Sequence, residues 1–469
     1  MKKTNRWKSG FWPMIFMSFS TGMVYCWTLF REDIESWGTV PYYIDGVRQT
    51  VTAPLYVNGI IQYVDGVRQY VTELAYFSHF TPFILTLCFM LALFFLGMTA
   101  AFGGKIVERS VKRAALYTLI FFTLGWLLTG IGVWIRSPIL TVIGFGPVQG
   151  IGLGLGYLTP IKTLMMWFED RKGFAAGVAI AAFGLAGLIG NPLLGILLSV
   201  EWLSVYQAFF VLTVLFGVLC FIAYLIIDRP PLKPVDAAAR TFTAAEVIFS
   251  KKFVFLWIVL FLNIAAGLAL MSHEQQIYLM TGLNIDDHRG LIVLLCTFTA
   301  GGGNLIGRLI MASSQDKTDK KHLPYYVMAI ASISMCVIAF AGFTILFDPH
   351  FIPMFIAIFV IQFFFGCGFA CLPGILDQQY GMKQLATIQG YMLTAWAFAA
   401  LVGPQIATSI LTLADPSAAG QHYVYGRGYI AGTPADPSTL TTLYMVLAGM
   451  FVIQLIALLL YVKAAKTNK

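Results

Sequence analysis

The chain has 469 residues and a mass of 51.8 kDa; 58% of residues are hydrophobic, 15% aromatic and only 11% charged, with a mean hydropathy of +0.79. Soluble domains carry about 25% charged and about 45–50% apolar residues, so this composition excludes a water-soluble enzyme, a disordered regulator and a nucleic-acid binder, despite a formal net charge of +8. A polytopic membrane protein remains.

A bilayer core about 30 Å thick takes about 20 apolar residues per helix. Twelve runs of that kind follow one another, at residues 12–30, 80–102, 114–135, 139–167, 174–199, 203–227, 253–272, 291–312, 325–347, 351–376, 385–413 and 440–462. The amino terminus is basic like a signal-peptide n-region. Its apolar run is too long and lacks a small-residue cleavage site, so it reads as an uncleaved first span. The first outer connection, 31–79, carries a duplicated string, Tyr43 to Thr52 and Tyr63 to Thr72, offset by twenty. Its Asp45-Gly46, Asn58-Gly59 and Asp65-Gly66 dipeptides, set among β-branched and aromatic residues, predict a small β-hairpin element. That element reads either as a cap on the outer mouth or as an insertion without function. Span four contains Gly150-Ile-Gly-Leu-Gly-Leu-Gly156; no strand precedes it, and small residues at helical spacing predict close helix packing. A second outer insertion, 414–438, reads as irregular loop. All seven cysteines lie in apolar runs, which predicts neither disulfides nor a zinc site. No cofactor is called for.

Twenty-two of the thirty Lys and Arg fall on the side of the amino terminus and six on the other, with Lys162 and Arg308 inside or at the edge of spans. By the positive-inside rule both termini are cytoplasmic, in the plasma membrane, or the inner membrane of a bacterium. The expected organisation is a six-helix bundle over 1–227 with the insertion 31–79, a cytoplasmic linker over 228–252 and a second six-helix bundle over 253–469. Gln149, Pro160 and Gly177 recur as Gln362, Pro373 and Gly390 at an offset of 213, as duplicated halves require.

Span two ends in Gly104-Lys-Ile-Val-Glu108-Arg109-Ser-Val-Lys-Arg113, and span eight in Gly307-Arg308 followed by Asp316 and Lys317. These turns resemble the signature loop G-x-x-x-D-R-x-G-R-R/K of the major facilitator superfamily, with Glu108 for the Asp and Val111 for the second Gly. The resemblance implies the all-α major facilitator fold. It also implies an inner gate of Gly104, Glu108, Arg109, Arg113, Asp316 and Lys317, in which the acid meets a neighbouring helix end and an Arg cluster. Within the superfamily, Tyr25-Cys-Trp-Thr-Leu-Phe30, Trp167-Phe-Glu-Asp-Arg-Lys-Gly173 and Gly307-Arg308 together resemble the oxalate/formate antiporter family, and more faintly the monocarboxylate transporters. Those families hold a substrate carboxylate on a span-eight Arg, here Arg308. Oxalate carriers add a span-eleven Lys, where this chain has Trp396. Monocarboxylate transporters carry an Asp one turn before the Arg, where this chain has Asn304.

A guanidinium within a span marks a functional site by default, and its fork suits a carboxylate. Arg308 is read either as that contact or as part of the inner latch, and Lys162 as snorkelling to the inner end. Tyr25, Trp27, Phe365, Phe369 and Trp396 form either an aromatic box or plain packing. No acid falls within a span by this reading, which favours exchange or facilitated transport; His273 and Glu274 are the remaining proton-handling candidates. The expected protein is a monomeric carrier of small carboxylates of the formate, lactate or pyruvate kind, with the lipid bilayer and substrate as partners and no nucleic acid. Carriers of larger organic anions or oxalate-type dicarboxylates, and a non-transporting nutrient sensor, are the alternatives.

Overall fold

The computed structural model of the chain describes residues 6–228, short stretches between 42 and 81 and positions 199 and 201 excepted, with 241–280, 291, 294–315, 322, 330, 351–413 and 437–466. Among the described residues ten helical stretches are long and apolar enough to cross a membrane. Of the run expected at 325–347, only Ile330 is among the described residues.

The first span is composite. A π turn at Trp7–Phe11 leads into α1 (Trp12–Gly22), a 3-10 segment at Met23–Phe30 and α2 (Arg31–Trp37). Next come α3 (Pro82–Arg109), α4 (Val111–Trp134), α5 (Pro138–Ile143), α6 (Gln149–Trp167), α7 (Lys172–Leu198) and α8 (Val205–Ile226). A short α9 (Ala244–Ile248) precedes α10 (Lys251–Met280). A π turn at Thr297–Gly303 opens α11 (Asn304–Gln315), and α12 (Phe351–Tyr380) follows. The span expected as one helix over 385–413 is broken at Leu393 into α13 (Leu385–Met392) and α14 (Thr394–Leu413); α15 (Pro437–Lys466) closes the chain. Several starts are capped by side chains: Ser110 accepts the Arg113 amide, and Ser204 with Gln207 and Thr243 with Glu246 form capping boxes.

Strands occupy the connection between α2 and α3. Thr39–Pro41 pairs antiparallel with Tyr76–Ser78, and Thr50–Pro54 with Tyr70–Leu74. Three two-residue pairings flank the Asp-Gly and Asn-Gly positions: Tyr43–Ile44 with Val47–Arg48, Tyr56–Val57 with Ile60–Ile61, and Tyr63–Val64 with Val67–Arg68. The two copies of the repeat therefore pair alike, Tyr43 opposite Arg48 and Tyr63 opposite Arg68.

The glycines of span four explain how the helices meet. A Cβ on Gly154 would stand 2.5 Å from the Leu96 carbonyl oxygen of α3, and one on Gly152 would stand 2.5 Å from the Phe122 amide nitrogen of α4. Only hydrogen fits there, so α6 nests between its neighbours by close contact. The helices up to α8 meet those from α10 onward along two seams, α3 against α13 and α14, and α7 against α11.

Candidate substrate site

The second seam carries the site. Gly303 and Gly307 let α11 lie directly on α12: a Cβ on Gly307 would stand 2.0 Å from the Phe363 carbonyl oxygen. Arg308, the next residue, then lies against α7, where its Nη1 donates to the Ile180 carbonyl at 2.8 Å. Its Nε donates to Asn304 Oδ1 at 2.7 Å. Arg308 is fully buried, and its Nη2 has no hydrogen-bond partner within the protein.

Aromatic rings surround this guanidinium. Its carbon lies 5.1 Å from the Phe369 ring centre and 6.0 Å from that of Phe183, within cation–π range. Phe369 packs 4.6 Å from Trp396, Trp396 5.2 Å from Tyr157, Tyr157 5.4 Å from Phe183, and Phe183 5.3 Å from Tyr25. Five rings from spans one, four, five, ten and eleven thus form one cage. The Tyr25 hydroxyl and the Trp396 indole N–H are buried without a hydrogen-bond partner, and Tyr25 sits beside the guanidinium. Buried donors are ordinarily satisfied, and each unpaired one costs about 1–3 kcal/mol. Two such donors in the cage, together with the unbonded Nη2 of the cation itself, suit a small anion that accepts hydrogen bonds.

The remaining candidates divide. Asn304 orients Arg308 through Nε. Phe365 stands behind the cage, 5.3 Å from Phe369, its ring pressed on Gly267 of α10. Trp27 is elsewhere: it donates to the Leu85 carbonyl at 2.8 Å and packs 3.9 Å from Phe145. The 3-10 winding after Met23 accompanies that separation, with Tyr25 at the cage and Trp27 toward α3. Tyr157 and Phe183 were not anticipated. Tyr157 follows the glycine run of span four directly, a polar-tipped aromatic that could have been noticed; Phe183 is one apolar residue among many, with no signal of its own.

At the end of α3 that carries Arg109, Glu108 Oε1 accepts the Thr387 amide at 3.0 Å, in the first turn of α13, as an acid at a helix start does. Gly104 permits that approach, since its Cβ would stand 2.6 Å from Thr387 Cα. Arg109 and Arg113 are exposed rather than drawn into this contact. Asp316 and Lys317 lie outside the described residues. Lys162 is buried and its Nζ donates to the Met382 carbonyl, and Lys172 pairs with Asp377 at 3.0 Å. The Lys172–Asp377 pair had no sequence signal, because its members are 205 residues apart.

One expectation is corrected. Glu274 lies within α10, in the apolar stretch Lys251–Glu274, and is 3% exposed. An acid is therefore buried in a span, because α10 runs further than the hydropathy boundary at Ser272.

Residues 49–404 match the Major Facilitator Superfamily. The chain belongs to that superfamily. Its members are membrane transporters, so this is a multi-pass membrane transporter and not an enzyme. It is similar to the uncharacterized MFS-type transporter YhjX of Escherichia coli K12, 23% identical over 63% of this chain and 71% of that one. It is similar also to the oxalate:formate antiporter of Oxalobacter formigenes, 25% identical over 66% and 72%. A stretch of 61 residues is 41% identical to apicoplast pyruvate carrier 1 of Toxoplasma gondii, covering 13% of this chain and 11% of that one. Among solved structures, the Escherichia coli fucose:proton symporter FucP aligns at a TM-score of 0.56 and 14% identity over 94% and 97% of the chains. A bacterial homologue of ferroportin, outward-facing, aligns at 0.60 and 10% over 97% and 98%. These two establish the fold alone.

Proposed function

We propose that this superfamily member carries small monocarboxylates of the formate, lactate and pyruvate kind by alternating access around Arg308, with exchange as its mode. The observation that carries the reading is the unbonded Nη2 of a fully buried Arg308, in a ring cage that also buries the unbonded Trp396 indole N–H. One guanidinium neutralises one carboxylate. A second carboxylate would be buried among Phe183, Phe369 and Trp396 without a cation, at several kcal/mol. Similarity to an oxalate:formate antiporter supports the carboxylate class and exchange. Trp396, where oxalate carriers have a Lys, argues against oxalate.

In the same reading, residues 1–227 and 253–469 form the two moving bundles. Glu108 on Thr387, Lys162 on Met382 and Lys172 on Asp377 hold the inner end closed. Both termini are cytoplasmic, the membrane is the plasma membrane, and the carrier works as a monomer.

Counterflow in proteoliposomes tests the substrate class. Labelled lactate should be taken up against internal lactate, formate or pyruvate, and oxalate should compete poorly. Trp396→Lys should raise competition by oxalate. Oxalate outcompeting lactate in the unmodified protein overturns the reading.

A further inference from the structure

We propose that a groove on the membrane-facing side of the α3–α14 seam binds an anionic phospholipid, with Lys105 holding its phosphate. The groove, about 650 Å³, lies between α3, the linker helix α9, α10, α13 and α14. Met98 and Phe102 of α3, Val254 and Trp257 of α10 and Phe398 of α14 form its apolar wall. These residues belong to stretches apolar enough to cross the membrane, so the groove opens at hydrocarbon depth. Whatever fills it has an apolar body.

Charge selects the head. Lys105 is the one charged residue in the lining, is exposed, and forms no ion pair among the described residues. The nearest acid on α9, Glu246, is turned into its own helix cap, its Oε2 accepting from the Thr243 amide at 2.7 Å and hydroxyl at 2.9 Å. Met98, Phe102 and Lys105 stand at i, i+4 and i+7, on one face of α3. Lys105 is thus about 10 Å along the axis from Met98, at the end of α3 that carries Arg109. A positive group in the interfacial zone above an apolar groove recognises an anionic headgroup.

The shape selects a two-chained lipid. A second apolar groove, about 570 Å³, runs along α3, α4 and α6, and Met98 and Phe102 line both. Phe102, 77% exposed, is the ridge between them. Two grooves flank one ridge headed by one lysine, matching two acyl chains below one phosphate. A peptide or single-chain amphiphile would use one groove only.

Trp257 reports on the site. Its Nε1 donates to Thr394 Oγ1 at 2.9 Å and its ring stacks on Phe261, which keeps the indole in the wall. The protein is reconstituted in phosphatidylcholine vesicles containing increasing fractions of chain-brominated phosphatidylglycerol or chain-brominated phosphatidylcholine. The quenching that Trp257→Phe abolishes is the contribution of Trp257. The expected half-quenching fraction is about fivefold lower for the anionic lipid, the equivalent of one lysine near an anionic surface. Lys105→Ala should remove the preference and Lys105→Glu reverse it. Native mass spectrometry should show phosphatidylglycerol retained by the unmodified protein and lost from Lys105→Ala. Equal quenching by both lipids, meaning ordinary annular lipid, overturns the proposal. So does absence of Trp257 quenching, or a preference or retained lipid that survives Lys105→Ala.

Discussion

Arg308 and Asn304 stand one helical turn apart on α11, joined by a 2.7 Å bond from Nε to Oδ1. With the Ile180 carbonyl on Nη1, this bond holds two edges of the guanidinium and leaves Nη2 unbonded. The side chain is fixed before any anion arrives, so little rotamer entropy remains to be lost on binding. An acid at 304 would neutralise the cation permanently; the amide orients it without consuming its charge.

Asn304→Leu should therefore weaken substrate binding by about 10- to 150-fold, since a hydrogen bond to a charged group contributes about 1.5–3 kcal/mol. Asn304→Asp should also weaken it, by pairing with Arg308. Apparent affinity in counterflow checks both. Unchanged affinity in Asn304→Leu would show that the Ile180 contact alone positions the guanidinium.

Removal of the cation is the stronger test. Arg308→Ala should lower affinity by about 30- to 1000-fold, corresponding to about 2–4 kcal/mol. Arg308→Lys retains charge without the planar fork and should fall between. Wild-type affinity in Arg308→Ala would return the residue to the inner latch.

The inner seam rests on contacts too close for a side chain. A Cβ on Gly390 would stand 2.1 Å from the Ala100 carbonyl oxygen, which is backbone and cannot turn aside. Gly390→Val should destabilise the closed inner end by about 1–3 kcal/mol, and Glu108→Ala by about 0.5–2 kcal/mol through loss of the cap on Thr387. A cysteine at Ala386, buried beneath this contact, should react faster with a thiol reagent in either background. Equal rates would mean that the seam does not open.

Orientation is checked from outside the cell. A cysteine at Asn58 should be labelled by a membrane-impermeant reagent in intact cells, and one at Ala238 should be protected. The opposite pattern would reverse the topology drawn from the basic residues.

Membrane class, the run of spans and the candidacy of Arg308 were all legible in the amino-acid order, because they rest on additive, local quantities. Each apolar residue contributes its own transfer free energy, each Lys or Arg its own cost of crossing, and a lone guanidinium among apolar neighbours stands out at once. The companions of Arg308 were decided otherwise. Spans four and five are apolar on every side, so periodicity does not say which ring turns to the cage; Tyr157 and Phe183 enter it because glycines seat their helices against α1, α3 and α4. Trp27, two residues from Tyr25, leaves it because the chain winds more tightly after Met23 and the indole finds the Leu85 carbonyl. The break at Leu393 and the Lys172–Asp377 pair likewise arise where segments distant in sequence meet. Hydropathy fixes depth in the bilayer; rotation about the helix axis is set by close packing between helices, and that is a property of the assembled bundle.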